Sequence, residues 1–163
     1  MKVYIPTRGV VENNIIESIK NQTISCDIEL VKCDFDLSID KANRIALSRE
    51  KTRECAQKDS GEYLVFHDSD ILNLYEDNIE VMLKFLQNHL DYGIVSLCRD
   101  YRYEGHIICS VMMIRRTVLN LLDFYSLLPN RPLHGCFAIM KSALSHNFKY
   151  DYVDEKVRIK HIE

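Results

Sequence analysis

Two carboxylates, Asp68 and Asp70, flank Ser69 directly after the apolar run Tyr63-Leu64-Val65-Phe66 and His67. Carboxylates this close repel each other, and a divalent cation allows both to stay ionised. Their oxygen donors suit Mg²⁺ or Mn²⁺, which could bridge them to a diphosphate. A plainer reading makes Asp70 the N-cap of a helix that starts soon after. Asp36 and Asp40, around Ser38, could accept hydrogen bonds from a nucleobase edge or a ribose hydroxyl; alternatively Asp36 and Ser38 form an ordinary turn. Pro6, Thr7 and Arg8 follow another short apolar run and could contact base, ribose or phosphate. Arg49 and Arg53 are spaced to share one helix face and could reach phosphates, unless they pair with Glu50 and Glu54. His161 closes the alternating series Val157, Ile159, His161, which reads either as a core histidine or as a metal ligand at the end of a buried face. His134 and His67 are weaker candidates, and His67 should point to the opposite face from Asp68.

These groups need elements to bring them together. Strand-like segments at 3–5, 28–33, 62–67, 94–98, 107–114 and 157–162 alternate with helix-like segments at 11–21, 41–58, 77–90, 117–122 and 135–146. The alternation predicts an α/β sheet with helices on both faces, parallel at first and mixed toward the C-terminus. The uninterrupted apolar run at 63–66 predicts a central strand buried on both faces. Along the charged segment 41–58, Ile45, Leu47, Cys55 and Ala56 mark the expected core side. In open sheets of this kind ligands lie at the carboxyl ends of strands. Three polar clusters sit at such ends, at 6–9, 34–40 and 67–70, so one site would collect all three.

At 163 residues the chain is long enough for one domain with a substantial core. A net charge of −3 supplies no field for nucleic acid, which is excluded as a partner. No apolar run approaches the length of a membrane span, and the start, broken at Pro6, does not read as a signal peptide. The expected location is the cytoplasm. Six cysteines (Cys26, Cys33, Cys55, Cys98, Cys109 and Cys136) include no C-x-x-C pair, which argues against a zinc site and for free thiols. In a hyperthermophile some of them could be paired.

The stretch Gly61-Glu62-Tyr63-Leu64-Val65-Phe66-His67-Asp68-Ser69-Asp70 closely resembles the signature of family-2-like glycosyltransferases of the GT-A fold. Ile5-Pro6-Thr7-Arg8 is similar to that family's start, and Asp36-Leu37-Ser38-Ile39-Asp40 to its first acidic segment. The resemblance implies a single GT-A domain over 1–163, with a Rossmann-like, mainly parallel sheet. Its nucleotide-binding part would cover about 1–100, and a reduced acceptor part 101–163. It further implies a UDP- or GDP-linked sugar donor, an unknown acceptor, and Mn²⁺ or Mg²⁺ as cofactor. Asp36 would contact the nucleobase, Asp70 the metal and diphosphate, and Asp68 the ribose or metal. Ser69 lies between them on the donor side, Arg49 or Arg53 would be the helix arginine, and His161 would complete the metal site.

Two departures bear on catalysis. The acidic pair expected before the last helix falls at Gly135-Cys136, which has no carboxylate. His134 is the substitute base, with Asp100 and Glu104 more remote. The chain also ends two residues past His161, so the tail that covers the donor in many relatives is not in this sequence. The competing readings are a non-catalytic nucleotide-binding module and, more distantly, a phosphatase with its D-x-D after a buried strand. A sugar nucleotidyltransferase would need a Gly-rich loop where Thr7-Arg8-Gly9-Val10 stands.

Overall fold

Strand β1 (Lys2–Thr7) buries Val3, Tyr4 and Ile5 completely, as only a strand covered on both faces does. The computed structural model describes residues 1–36, 38–39, 41–98, 110–122 and 135–162. After β1 come α1 (Asn13–Lys20), β2 (Asp27–Lys32), α2 (Lys41–Ala56), β3 (Tyr63–His67) and β4 (Ile71–Asn73). The chain continues through α3 (Asn78–Asn88), β5 (Tyr92–Cys98), β6 (Val111–Arg115), α4 (Arg116–Leu119), α5 (Gly135–Ser145), β7 (Lys149–Val157) and β8 (Ile159–His161).

Six strands form one sheet in the order β2-β1-β3-β6-β5-β7. β1 pairs in parallel with β2 and β3, and β5 with β7, while β6 runs antiparallel to both its neighbours. The sheet is therefore mainly parallel, as the alternation of elements predicts. Successive side chains on a strand point to opposite faces, and the core divides accordingly. Val3, Ile5, Val65 and Met113 pack with Ile15 and Ile19 of α1 and with Ile79, Met82 and Leu86 of α3. Tyr4, Leu64, Phe66 and Met112 pack on the other face with Ala56 of α2, Leu119 of α4 and Ile139 of α5. Helices thus cover both faces.

Three local expectations are corrected. Residues 157–162 are not one strand: β7 ends at Val157 in the large sheet, and β8 begins at Ile159 in a separate antiparallel pair with β4. Val157 is exposed and Ile159 fully buried, so no common buried face runs to His161. The long β7 was missed because Lys149–Val157 is an edge strand rich in charge and half exposed, with little apolar alternation. On α2, Ile45 is exposed, and the buried face is Ala46, Arg49, Thr52 and Ala56. Small side chains on that stripe let the helix lie against the sheet, so the strongly charged segment buries a face that hydrophobicity does not mark. Asp70 lies in the turn that leads into β4 rather than into a helix, so it is not an N-cap. The next helix, α3, starts after Asp77, which makes no side-chain cap hydrogen bond.

The fold also fixes its helix ends with specific groups. Arg115 donates to the carbonyls of Leu86 and His89 at the end of α3 and to that of Tyr92. Its neighbour Arg116 donates to the carbonyl of Ala56 at the end of α2 (2.8 Å). After α5, Asn147 takes a positive φ of 64° while Phe148 N–H returns to the Ala143 carbonyl. Among the described residues, no helix is long and apolar enough to cross a membrane. Cys26, Cys33, Cys55 and Cys136 are free thiols, and Cys109 lies outside the described residues.

Candidate functional site

The carboxyl ends of β1, β2 and β3 open into a cleft of about 440 Å³. Its lining includes Pro6 and Thr7 at the end of β1 with Arg8 just after it, Cys33 after β2, and Asp68, Ser69 and Asp70 after β3. Arg44, Ile45, Ser48 and Arg49 of α2 form the facing wall. A hollow of about 470 Å³ at the opposite end of the sheet is lined by Lys2, Glu29, Cys55, Lys58, Asp59 and Ser60. There Lys2 already pairs with Glu29 at 2.6 Å and Asp59 at 3.5 Å, so its charges satisfy one another.

Each carboxylate of the pair has its own cationic or proton-donating neighbour. Arg49 Nη2 lies 3.4 Å from Asp68 Oδ2. His161 Nε2 stands 2.9 Å from Asp70 Oδ2, and the register Ile71↔His161 between β4 and β8 brings them together. The Ile162 N–H also donates to the Asp70 carbonyl (2.8 Å). Asp68 is partly buried and Asp70 exposed, so one faces the cleft base and the other its rim.

The structure separates the two helix arginines. Arg49 is on the buried stripe and lines the cleft, whereas Arg53 pairs with Glu50, the plainer of its two readings, and is not among the described lining residues. Asp36 is exposed and accepts a hydrogen bond from the Ser38 N–H (2.8 Å), forming the turn that was its alternative reading. That bond holds its carboxyl below the usual range. Asp36 too is absent from the described lining. Thr7 accepts the Gly9 N–H through Oγ1 at 3.1 Å, which shapes the loop after β1. Cys136, at the start of α5 where the sequence has no acid, packs against the apolar core. His134, Asp40, Asp100 and Glu104 lie outside the described residues.

Sequence reasoning missed Arg44, whose Nη1 donates to the Ile39 carbonyl at 2.8 Å and ties the loop after β2 to α2. It also underrated His67, which is buried with its pKa pushed down to about 4, chiefly by burial. Burial likewise raises the Cys33 thiol, so that side chain is a neutral part of the cleft wall.

No family model matches the sequence, and no curated protein matches it. Solved structures do match in fold. A Drosophila β1,4-galactosyltransferase 7 mutant, in complex with manganese, UDP-Gal and xylobiose, matches with a TM-score of 0.61 at 14% identity, over 99% of this chain and 70% of that one. The fold is GT-A. A mannosyltransferase from Pyrobaculum calidifontis in complex with GDP-Man and Mn²⁺ matches this GT-A chain with a TM-score of 0.64 at 14% identity, over 93% of this chain and 53% of that one. A glycosyltransferase involved in glycosylation of the major capsid of PBCV-1 gives 0.62 at 11% identity, over 98% and 92% of the two chains.

Asp68, Asp70 and His161 are the residues here whose oxygen and nitrogen atoms could hold a divalent ion. Asp70 and His161 converge on the rim, both exposed enough to reorient, and Asp68 lies two residues away. Among the described residues, no three His, Cys, Asp or Glu side chains form a ready-made metal cluster. Magnesium-like ions are commonly held by one or two carboxylates together with substrate phosphates, which requires no such cluster.

Proposed function

We propose that this chain binds a nucleoside-diphosphate sugar, UDP- or GDP-linked, in the cleft and transfers its glycosyl group to an acceptor hydroxyl. The observation that carries this reading is the carboxylate pair at the end of β3, opening with Arg44 and Arg49 into one cleft of a GT-A fold. The mannosyltransferase and galactosyltransferase neighbours, solved with Mn²⁺ or manganese and a nucleotide-sugar, support it. The family-2-like character rests on the resemblance of residues 61–70 to that signature.

In this reading Pro6, Thr7 and Arg8 contact the nucleoside, and Asp68, fixed by Arg49, faces the ribose side. Arg49 and Arg44 bring positive charge to the diphosphate. Mn²⁺ or Mg²⁺, held by Asp70 with Asp68 and His161, would supply further charge to the diphosphate as it leaves. The acceptor oxygen attacks the anomeric carbon while the bond from that carbon to the diphosphate oxygen breaks. In an inverting reaction the acceptor proton passes to a base, for which His134 is the candidate.

The absence of a carboxylate at Gly135-Cys136 favours one rival, a nucleotide-sugar-binding module without turnover. The experiment is to incubate the chain with common UDP- and GDP-sugars and follow metal-dependent release of the nucleoside diphosphate. Release abolished by Asp70→Ala supports transfer. Nucleotide binding without release across all donors supports the module. UDP and GDP affinities that are unaffected by Mn²⁺ and by Asp70→Ala would falsify the site.

A further inference from the structure

A chain of buried polar groups runs behind the cleft and is not explained by packing. His67, Asn73, Asn78 and Arg158 are between 0% and 8% exposed, although every one is polar or charged. Such groups are retained inside a protein only when their hydrogen bonds are satisfied. Here the bonds form a directional series. Arg158 is held by Asp154 and Asp77, with Nη1 also 3.4 Å from Asn78 Oδ1. Asn78 Nδ2 donates to Asn73 Oδ1 and to the Arg158 carbonyl, both at 3.0 Å. Asn73 Nδ2 faces His67 Nε2 at 3.0 Å, and His67 Nδ1 lies 2.8 Å from the Asp68 carbonyl.

The donors settle the tautomer. An amide nitrogen can only donate, so His67 Nε2 accepts and the ring proton sits on Nδ1. That proton is donated to the Asp68 carbonyl. The series therefore starts beside β8 and ends on the backbone of the carboxylate turn. Its members lie at the end of β3, on β4, at the start of α3 and just before β8. Between them, those pieces carry Asp68, Asp70 and His161.

We propose that His67 is a positioning residue: with Asn73, Asn78 and Arg158 it sets the 68–70 turn and β8 in one fixed relation, and so places Asp70 against His161. The proposal deepens the nucleotide-sugar reading and rests on it for its effect on binding. No ligand contact is assigned to His67 itself, since both its ring nitrogens are engaged within the protein.

The test uses the whole chain with three variants. His67→Leu removes both ring bonds at similar volume, His67→Asn keeps a donor near the Nδ1 position, and Arg158→Met breaks the far end. The first measurement needs no ligand: hydrogen exchange resolved at the amides of Asp68, Leu74 and Ile162, which bond to Ser110, Arg158 and Asp70 carbonyls. The expected result is faster exchange at all three in His67→Leu and in Arg158→Met, with β1 amides still protected and His67→Asn closer to wild type. The second is titration with UDP or GDP plus Mn²⁺, where His67→Leu should lose about 10–100-fold in affinity, the usual effect of disturbing groups behind metal ligands.

Unchanged exchange at Ile162 in His67→Leu, or at Asp68 in Arg158→Met, overturns the proposal, because the two ends are then uncoupled. So does wild-type affinity in His67→Leu where the native chain binds. If the native chain binds neither nucleotide with Mn²⁺, the donor reading fails and the exchange data alone decide the positioning role. A His67→Leu chain too unstable to measure leaves the decision to Arg158→Met and His67→Asn.

Discussion

Arg49 and Asp68 meet at the base of the cleft with 3.4 Å between Nη2 and Oδ2, and the arginine is the more buried partner, its side chain 8% exposed against 31% for the aspartate. Removing each partner should therefore have unequal effects. Asp68→Ala takes a carboxylate partner from a buried guanidinium and should cost about 2 kcal/mol. Arg49→Met leaves a carboxylate that water can reach and should cost about 1 kcal/mol or less. Urea denaturation with unchanged slope would measure both; a larger loss for Arg49→Met would contradict the burial argument.

The pair at the rim should behave differently. Asp70 and His161 are both exposed, and a polar contact of that kind contributes little to stability. His161→Ala should shift unfolding by about 0.5 kcal/mol or less. It should nevertheless weaken Mn²⁺-dependent binding of UDP or GDP by about tenfold, and have no effect on titrations in EDTA. Calorimetric titration with and without the metal separates the two outcomes.

The buried His67 predicts a pH dependence of stability. An unfolded imidazole titrates near 6.5, whereas the native ring resists protonation until about 4. Between those values the unfolded chain binds more protons, so stability falls as pH drops from 6.5 toward 4 and levels off below. The full effect is about 3 kcal/mol. His67→Asn should flatten this part of the profile, and a profile identical to wild type would show that other groups produce it.

Gly93 gives a purely steric prediction. A Cβ there would stand 2.8 Å from Val118 Cγ2 and 3.0 Å from Phe148 Cβ, where β5 passes close to α4 and the segment before β7. Gly93→Ala should destabilise by about 1–3 kcal/mol through overpacking. Thermal unfolding should show it, with Val118→Ala restoring part of the loss.

Much of the frame was legible from short stretches. The run Leu64-Val65-Phe66 announced a strand buried on both faces, because such a strand has no solvated side to mark with polar residues. The helix-like segments 11–21 and 77–90 became α1 and α3, each covered on one face through Ile15 and Ile19 or through Ile79, Met82 and Leu86. α2 was harder. Its covered face is small or polar, so periodicity assigned Ile45 to the core and left Arg49 and Arg53 equivalent.

By itself, then, the sequence determined the alternation of strands and helices apart from β4 and β7, their burial on two faces of a sheet, and a carboxylate pair at the end of a central strand. These follow from local periodicity, which records whether a side chain is covered. The tertiary structure alone decided what covers it. It rotated α2 so that Arg49 meets Asp68, inserted β6 antiparallel, and broke the last strand at Arg158 so that β8 could pair with β4. That pairing brings His161 to Asp70 across 91 positions of sequence. Contacts so distant in the chain depend on register and packing, which no local pattern encodes.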